Sequence, residues 1–170
     1  RGGGTGLAGG ALPVEGAVVL ALGRLDSLGE VDVVRRRVQV GVGVVNTAVS
    51  DWAEPHGLRF APDPSSQAAA TIGGNVAVNA GGPRCLKDGV TSQHVRCLEW
   101  VDSWGRRRST GHCSALTRGL DLRGLLVGSE GTLGVVTAAV VDLQPVPRSS
   151  LVLLAEFPRL GDATRAVVKL

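Results

Sequence analysis

The chain begins RGGGTGLAGG, and six of these ten residues are glycine. Glycine loses more backbone freedom on ordering than any other residue, so a run this dense makes neither a stable helix nor a strand interior. It makes a loop, and a loop with few side chains lets backbone approach a ligand closely. The run stands at residue 1 with no methionine before it, and the chain reads as a fragment.

Gly4-Thr5-Gly6-Leu7-Ala8-Gly9 satisfies the dinucleotide fingerprint GxGxxG, with Glu30 about 20 residues further on. That fingerprint works only where a strand enters the loop and a helix leaves it, so that the helix N-terminus faces a pyrophosphate. Here Ala11-Leu12-Pro13 follows, then GAVVLAL (16–22), a β-branched run of strand length. The Rossmann reading fails on this context, and no Gly-Lys-Ser/Thr follows to make a Walker A loop. What survives is the physics without the helix: successive N–H groups in a tight turn form an anion-binding concavity. Gly2, Gly3, Gly4 and Gly6 allow approach, and Thr5 adds a hydroxyl.

Beyond the loop, residues 31–34 and 38–42 read as strands. From Val45 the period changes, with Ala48, Val49, Trp52 and Ala53 at helical spacing up to a stop at Gly57. Residues 58–61 are extended, PDPSS (62–66) is a proline-fixed turn, and 72–78 is a short helix. Residues 95–101 and 106–110 read as a hairpin around Ser103-Trp104-Gly105. Asp121 is an N-cap for a turn through Leu122, Leu125 and Leu126. Residues 132–143 form a long strand, Pro145 and Pro147 mark a boundary, and a strand (151–157) and a helix (162–170) follow. Strands outnumber helices, and the pattern is α+β.

Three further segments combine small residues with a few polar ones: PDPSS, TIGGNVAVNAGG and GSEGTLG. Any one could be a structural turn. Four such loops in one small domain point to a long ligand threaded against backbone, for which a dinucleotide is the natural candidate.

The composition narrows the alternatives. With 170 residues, 44 % hydrophobic and 19 % charged, the chain can bury a real core. The net charge is +3, and Arg35-Arg36-Arg37 and Arg106-Arg107-Arg108 lie in strand-like contexts that send successive side chains to opposite faces. Neither run makes a phosphate-tracking stripe, so no nucleic-acid partner is expected. Cys85, Cys97 and Cys113 are odd in number and lack CxxC spacing. They argue against a disulfide framework or a zinc site, and no metal is expected. No apolar run reaches membrane-spanning length and no signal segment is present. A reducing, cytoplasmic location is expected, with peripheral attachment to the inner membrane through a partner as the variant.

The four segments, in this order, resemble the FAD-binding domain of the vanillyl-alcohol oxidase or PCMH-type flavoproteins. The likeness is strongest to the FAD subunit of bacterial glycolate oxidase and to its D-lactate and D-2-hydroxyglutarate dehydrogenase relatives. VVNTAVSDWAEPHGLRFAPDPSSQAAATIGGNVAVNAGGPRCLKDG (44–89) carries most of it, supported by Gly119-Leu120-Asp121-Leu122 running into GSEGTLGVVT. Two departures stand out: Lys87-Asp88-Gly89 replaces the family's usual Lys-Tyr-Gly, and Leu120 replaces a usual aromatic residue.

The resemblance implies a PCMH-type FAD-binding domain of two α+β subdomains over 1–147, lacking its N-terminal part, and the beginning of a C-terminal cap domain over 148–170. It places Gly2, Gly3, Gly4, Thr5 and Gly6 on the FAD pyrophosphate. Pro64, Ser65, Ser66 and Thr71 fall along the ribityl and pyrophosphate region, and Gly74, Asn79, Ala80 and Gly81 near the flavin and its linker. Glu130, Gly131, Thr132, Gly134, Val135 and Val136 fall on the adenine side. In some branches of this fold a histidine or cysteine, in the glycine-loop region or the His94 to His112 neighbourhood, bonds covalently to the flavin. The glycine loop holds neither, and the resemblance to glycolate-oxidase-like members implies that FAD binds noncovalently. His56, His94 and His112 read as surface or structural residues.

In the resembled family FAD takes a hydride equivalent from the Cα of a 2-hydroxy acid of the glycolate or D-lactate type, giving a 2-oxo acid. The reduced flavin then passes electrons to a quinone, a cytochrome or an iron–sulfur subunit. The substrate-binding groups belong to the cap, so no catalytic residue is assigned here. The competing readings are another enzyme of the same fold, of the UDP-N-acetylenolpyruvoylglucosamine reductase or alkylglycerone-phosphate synthase type, and an inactive truncated FAD-binding module.

Overall fold

The computed structural model describes residues 1–110 and 120–169. In β1 (Arg37–Gly41) Val38 and Val40 are buried while Gln39 is exposed, the period-2 alternation of a strand with one covered face. The period then lengthens, and α1 (Asn46–Ala53) turns Val49 and Ala53 to the core. A 3₁₀ turn (Glu54–His56) follows and closes at Gly57, whose φ of 70° costs glycine no Cβ clash. Then come β2 (Leu58–Arg59), α2 (Ile72–Val78), α3 (Cys85–Asp88), α4 (Thr91–His94), β3 (Val95–Val101) and β4 (Arg107–Ser109). The order ends with α5 (Leu122–Leu126), β5 (Val135–Asp142), β6 (Gln144–Pro145) and α6 (Leu160–Lys169).

Four strands make an antiparallel sheet in the order β1-β5-β3-β4, with Val40 and Leu98 both opposite Ala139 of the shared strand β5. β2 and β6 form a separate pair. Val38, Val40, Leu98 and Val141 of the sheet share one core with Val49 of α1, Ile72 and Val76 of α2 and Leu126 of α5. A Cβ on Gly73 would stand 2.8 Å from that of Val42, so α2 sits closer to the end of β1 than a larger residue would allow. The result is an α+β domain in which the end of β1, α2 and the start of β5 converge.

Several expected elements differ. Residues 16–22 join no strand: Gly16 sits in a turn at φ 77°, the Leu22 N–H donates to the Arg1 carbonyl at 3.0 Å, and Val18 and Leu20 are exposed. The dinucleotide fingerprint is still broken, because no helix follows the loop. The strand expected at 31–34 is a tight turn, in which Asp32 and Arg37 exchange backbone hydrogen bonds of 2.8 and 3.0 Å around Arg36 at φ 52°. β5 begins at Val135 rather than 132, since Glu130, Gly131 and Gly134 hold φ of 53°, 78° and 150°, outside any strand. Residues 151–157 form no strand: among the described residues no neighbour offers them a ladder, and Val152 and Leu154 are 92 % exposed. α6 forms but buries no side chain. Cys97 is disulfide-bonded, against the expectation from cysteine number and spacing, whereas Cys85 is free. His112 and the stretch 112–118 lie outside the described residues.

Candidate functional site

A cleft of about 810 Å³ opens where the glycine loop, the PDPSS turn, α2 and the strand-entry loop before β5 meet. The first wall is the loop. Its backbone is tied to residues 20–22 by hydrogen bonds at Arg1 and to α2 by contact. A Cβ on Gly2 would overlap Thr71 Oγ1, and one on Gly3 would overlap the Ala69 carbonyl oxygen. Gly4 holds φ 73°, while Gly6 has open space where a Cβ would stand. These glycines have different reasons for being glycine: contact with the next wall at 2 and 3, conformation at 4, and space toward the cleft at 6.

The second wall is the turn after Pro62. Gln67 N–H donates to the Pro64 carbonyl at 2.8 Å, and the N–H groups of Ala69 and Ala70 both donate to Ser66. Asn46 fixes this turn from below: its Nδ2 donates to the Pro62 carbonyl at 3.1 Å and its backbone N–H to that of Ala70 at 2.9 Å. Asn46 was not among the expected site residues. The available signal was a polar residue at the start of the buried face of α1, where an apolar one would ordinarily sit.

The third wall is α2. Thr71 caps it, its Oγ1 accepting from the Gly74 N–H at 3.3 Å. Asn79 ends it in the left-handed conformation at φ 50°. The strand-entry loop clips onto the same helix, because Gly128 N–H donates to Val76 and Glu130 N–H to Ala77, each at 2.8 Å. Gly131, Gly134, Val135 and Val136 thereby reach the cleft.

Of the residues singled out from the sequence, Gly2, Gly3, Gly4, Thr5, Gly6, Pro64, Ser65, Ser66, Thr71, Gly74, Ala80, Glu130, Gly131, Gly134, Val135 and Val136 line this one cleft. Asn79, Gly81 and Thr132 do not. Asn79 Oδ1 accepts from the Ser92 N–H at 2.9 Å and borders a separate polar hollow of about 540 Å³ with Asp121 and Arg123. A Cβ on Gly81 would overlap Cys85 Sγ, so that glycine serves packing against α3. Thr132 Oγ1 donates to the Ser129 carbonyl at 2.7 Å within its own turn. Leu20, Leu22, Asn75 and Leu126 line the cleft without having been expected.

The lining is mostly apolar or backbone, with Thr5, Ser65, Ser66, Thr71, Asn75 and Ser129 interspersed and only Arg1 and Glu130 ionisable. The volume lies within the range of about 300–1,000 Å³ usual for ligand pockets. Such a surface suits a long ligand with apolar ring systems and a polar linker, held by N–H and hydroxyl donors more than by counter-charges. His94 stands apart from the cleft: it is 4 % exposed and bonded through Nε2 to the Asp88 carbonyl at 2.6 Å, which is a structural task. Among the described residues no group of three or more His, Cys, Asp or Glu is placed to hold a metal ion.

Comparison with known proteins bears on this geometry. The chain is 46 % identical over 167 residues to glycolate oxidase subunit GlcD of Escherichia coli, covering 98 % of this chain and 34 % of that one. It is 44 % identical over 170 residues to a D-lactate dehydrogenase of Archaeoglobus fulgidus (99 % and 38 %). A D-2-hydroxyglutarate dehydrogenase of Xanthomonas citri is 38 % identical over 156 residues (91 % and 33 %). The chain thus spans about a third of the length of these curated relatives. Among solved structures, an alkyldihydroxyacetonephosphate synthase superposes with a TM-score of 0.76 at 25 % identity, over 88 % of this chain and 27 % of that one. The family model for the FAD binding domain matches residues 1–111, the stretch that supplies the glycine loop, the PDPSS turn and α2, and the chain belongs to that family.

Proposed function

We propose that this chain is the cofactor-holding part of a flavin-dependent 2-hydroxy-acid oxidoreductase of the glycolate or D-lactate type, with FAD bound noncovalently in the cleft over the glycine loop. The observation that carries the reading is the convergence of the glycine loop, the PDPSS turn, α2 and the loop before β5, scattered from residue 2 to residue 136, on one weakly charged cleft. Relatives named for glycolate, D-lactate and D-2-hydroxyglutarate, at 38–46 % identity, support the 2-hydroxy-acid class.

The residues present fit FAD. Glycines at 2, 3, 4 and 6 leave backbone N–H groups free of shielding side chains, suited to a pyrophosphate. Ser65, Ser66 and Thr71 supply hydroxyls for a ribityl chain, and Gly74 of α2, with the small Ala80 just beyond the helix, leaves room for a flat ring system. Glu130, Gly131, Gly134, Val135 and Val136 offer backbone groups and apolar surface to the adenine end. Asn79, Gly81 and Thr132 act from outside the lining, by fixing the turns that lead into it. When bound, FAD supplies the two-electron acceptor for oxidation of the substrate Cα–OH to a 2-oxo group. This chain's own contribution would be to seat that acceptor. Residues 1–147 constitute the FAD domain in this reading, and 148–170 open the cap that carries the substrate groups. A quinone, a cytochrome or an iron–sulfur partner would take the electrons onward. No helix among the described residues is long and apolar enough to cross a membrane.

The test is reconstitution with FAD, followed by anaerobic addition of glycolate, D-lactate and D-2-hydroxyglutarate to this chain and to the longest protein that carries it. Bleaching of bound flavin by at least one acid in the longer protein is expected. Tight FAD binding with bleaching by none of them would overturn the substrate class and leave another reaction on the same fold.

A further inference from the structure

We propose that Asn75 is a cofactor-binding residue whose side-chain amide donates to an acceptor atom of FAD. The inference rests on the reading of the cleft given above and adds a residue of the TIGGNVAVNAGG segment that was not among the expected site residues. Ile72, Asn75 and Val76 form the buried face of α2 at i, i+3 and i+4, where an apolar residue is the ordinary choice. Asparagine is also a poor helix former, because its amide competes for local backbone groups. The backbone of Asn75 is fully used: its N–H donates to the Thr71 carbonyl and its own carbonyl accepts from Ala80, each at 2.9 Å.

The side chain is different. Asn75 is 2 % exposed, and its Nδ2 is buried with no hydrogen-bond partner. Burying an amide NH₂ without a partner is unfavourable, and such groups in folded proteins are few. Arg59 Nε is also unpartnered, but that side chain is anchored through Nη2 to Asp88 and does not line the cleft. Asn75 lines it, one residue from Gly74, whose missing Cβ leaves that side of the helix low. Its Nδ2 is screened from solvent in the free protein, so the side chain turns toward the cleft for this unsatisfied donor to meet a ligand acceptor. Its cost falls on the free protein and its benefit on the complex.

That asymmetry gives the inference a signature that a structural asparagine lacks. The experiment compares wild type with Asn75→Leu and Asn75→Asp in the FAD-free chain, measuring thermal midpoint without FAD and FAD affinity by fluorescence titration. Asn75→Leu should keep or raise the midpoint without FAD, since it removes an unpaired polar group, yet weaken FAD binding by about tenfold, the equivalent of one lost hydrogen bond. Asn75→Asp, of the same shape but without the donor, should also weaken binding by at least that factor. FAD affinity within about twofold of wild type for both variants would overturn the proposal. So would an Asn75→Leu chain that is unfolded or strongly destabilised without FAD, because the amide would then be satisfied within the protein. A wild-type chain that takes up no FAD would instead overturn the reading of the cleft, and this inference with it.

Discussion

No side chain fits between Gly3 and Ala69: a Cβ on Gly3 would overlap the Ala69 carbonyl oxygen, which belongs to the backbone leading into α2. Gly3 itself is exposed, so the contact seats the loop and contributes nothing to the core. Gly3→Ala must push the loop off the backbone at Ala69. The expected result is at least about a tenfold loss in FAD affinity, with the thermal midpoint of the FAD-free chain shifted by no more than a few degrees. Equilibrium dialysis and a circular dichroism melt measure the two effects. Gly4→Val acts by another route, because a Cβ there meets only the guanidinium end of the Arg1 side chain, at 2.8 Å, and its cost comes from φ 73°. Unchanged FAD binding in Gly3→Ala would remove the loop from the site.

Much of this was legible in the chain itself, and for definite reasons. The α2 span 72–78 is bounded by a threonine cap and a left-handed asparagine, both local signals, so its limits agree with the sequence expectation. The hairpin around residues 102–105 and the Asp121 cap are local in the same way. Residues 16–22 and 151–157 have strand composition, yet composition says nothing about whether a partner strand lies alongside, and none does among the described residues. In the cleft, glycine density picked out the loops. It could not show that Asn79 turns away to hold Ser92, nor that, from the buried faces of their helices, Asn46 holds the turn at Pro62 and Asn75 lines the cleft.

Asp102 organises the β3–β4 turn. Its carboxylate accepts from the backbone N–H groups of Trp104 and Arg106, each at 2.9 Å, and pairs with the guanidiniums of Arg106 and Arg108 at 3.1 and 3.0 Å. Desolvation pushes its pKa up, but the Arg106 N–H, the Arg108 guanidinium, the Trp104 N–H and the Arg106 guanidinium outweigh it and hold the group at about 2, against an ordinary 3.8. A depressed carboxylate stabilises the turn above its unfolded value and loses that effect as pH falls through the folded one. Acid titration should therefore leave the turn intact at pH 4 and open it toward pH 2. Trp104, exposed and stacked under Arg106 at 4.7 Å, reports the change by fluorescence. A midpoint close to 4, or an unaltered curve in Asp102→Asn, would contradict this account.

Asp121 caps α5, with Oδ1 accepting from the Gly124 N–H at 3.0 Å and Oδ2 pairing with Arg123 at 3.1 Å. The Gly124 N–H, followed by the Arg123 guanidinium, holds its pKa below the usual carboxylate value. α5 delivers Leu126 to both core and cleft, so fraying there is felt in both. Asp121→Ala should cost about 1 kcal/mol in urea unfolding, and Asp121→Asn, which keeps an acceptor at the cap, only a fraction of that. Equal losses in the two variants would assign the effect to charge instead of capping.

Asp88 stands where the resembled pattern has tyrosine, and its carboxylate meets Arg59 of β2 at 2.8 Å with both side chains largely buried. The same residue accepts at its carbonyl from His94, and His94 stacks edge-on against Phe60 with ring centroids 6.1 Å apart. Asp88 thus joins β2, α3 and α4, the layer behind the turn that follows α2. Breaking one side of such a pair leaves a buried charge without its partner, so Asp88→Ala should destabilise by roughly 3–5 kcal/mol. Replacing both ends removes the stranded charge, and Arg59→Leu combined with Asp88→Leu should be less destabilising than the sum of the single changes. A double-mutant cycle in urea gives the coupling directly. Strict additivity would mean that the pair is no unit, and that Arg59 is kept in place by its packing on β2 alone.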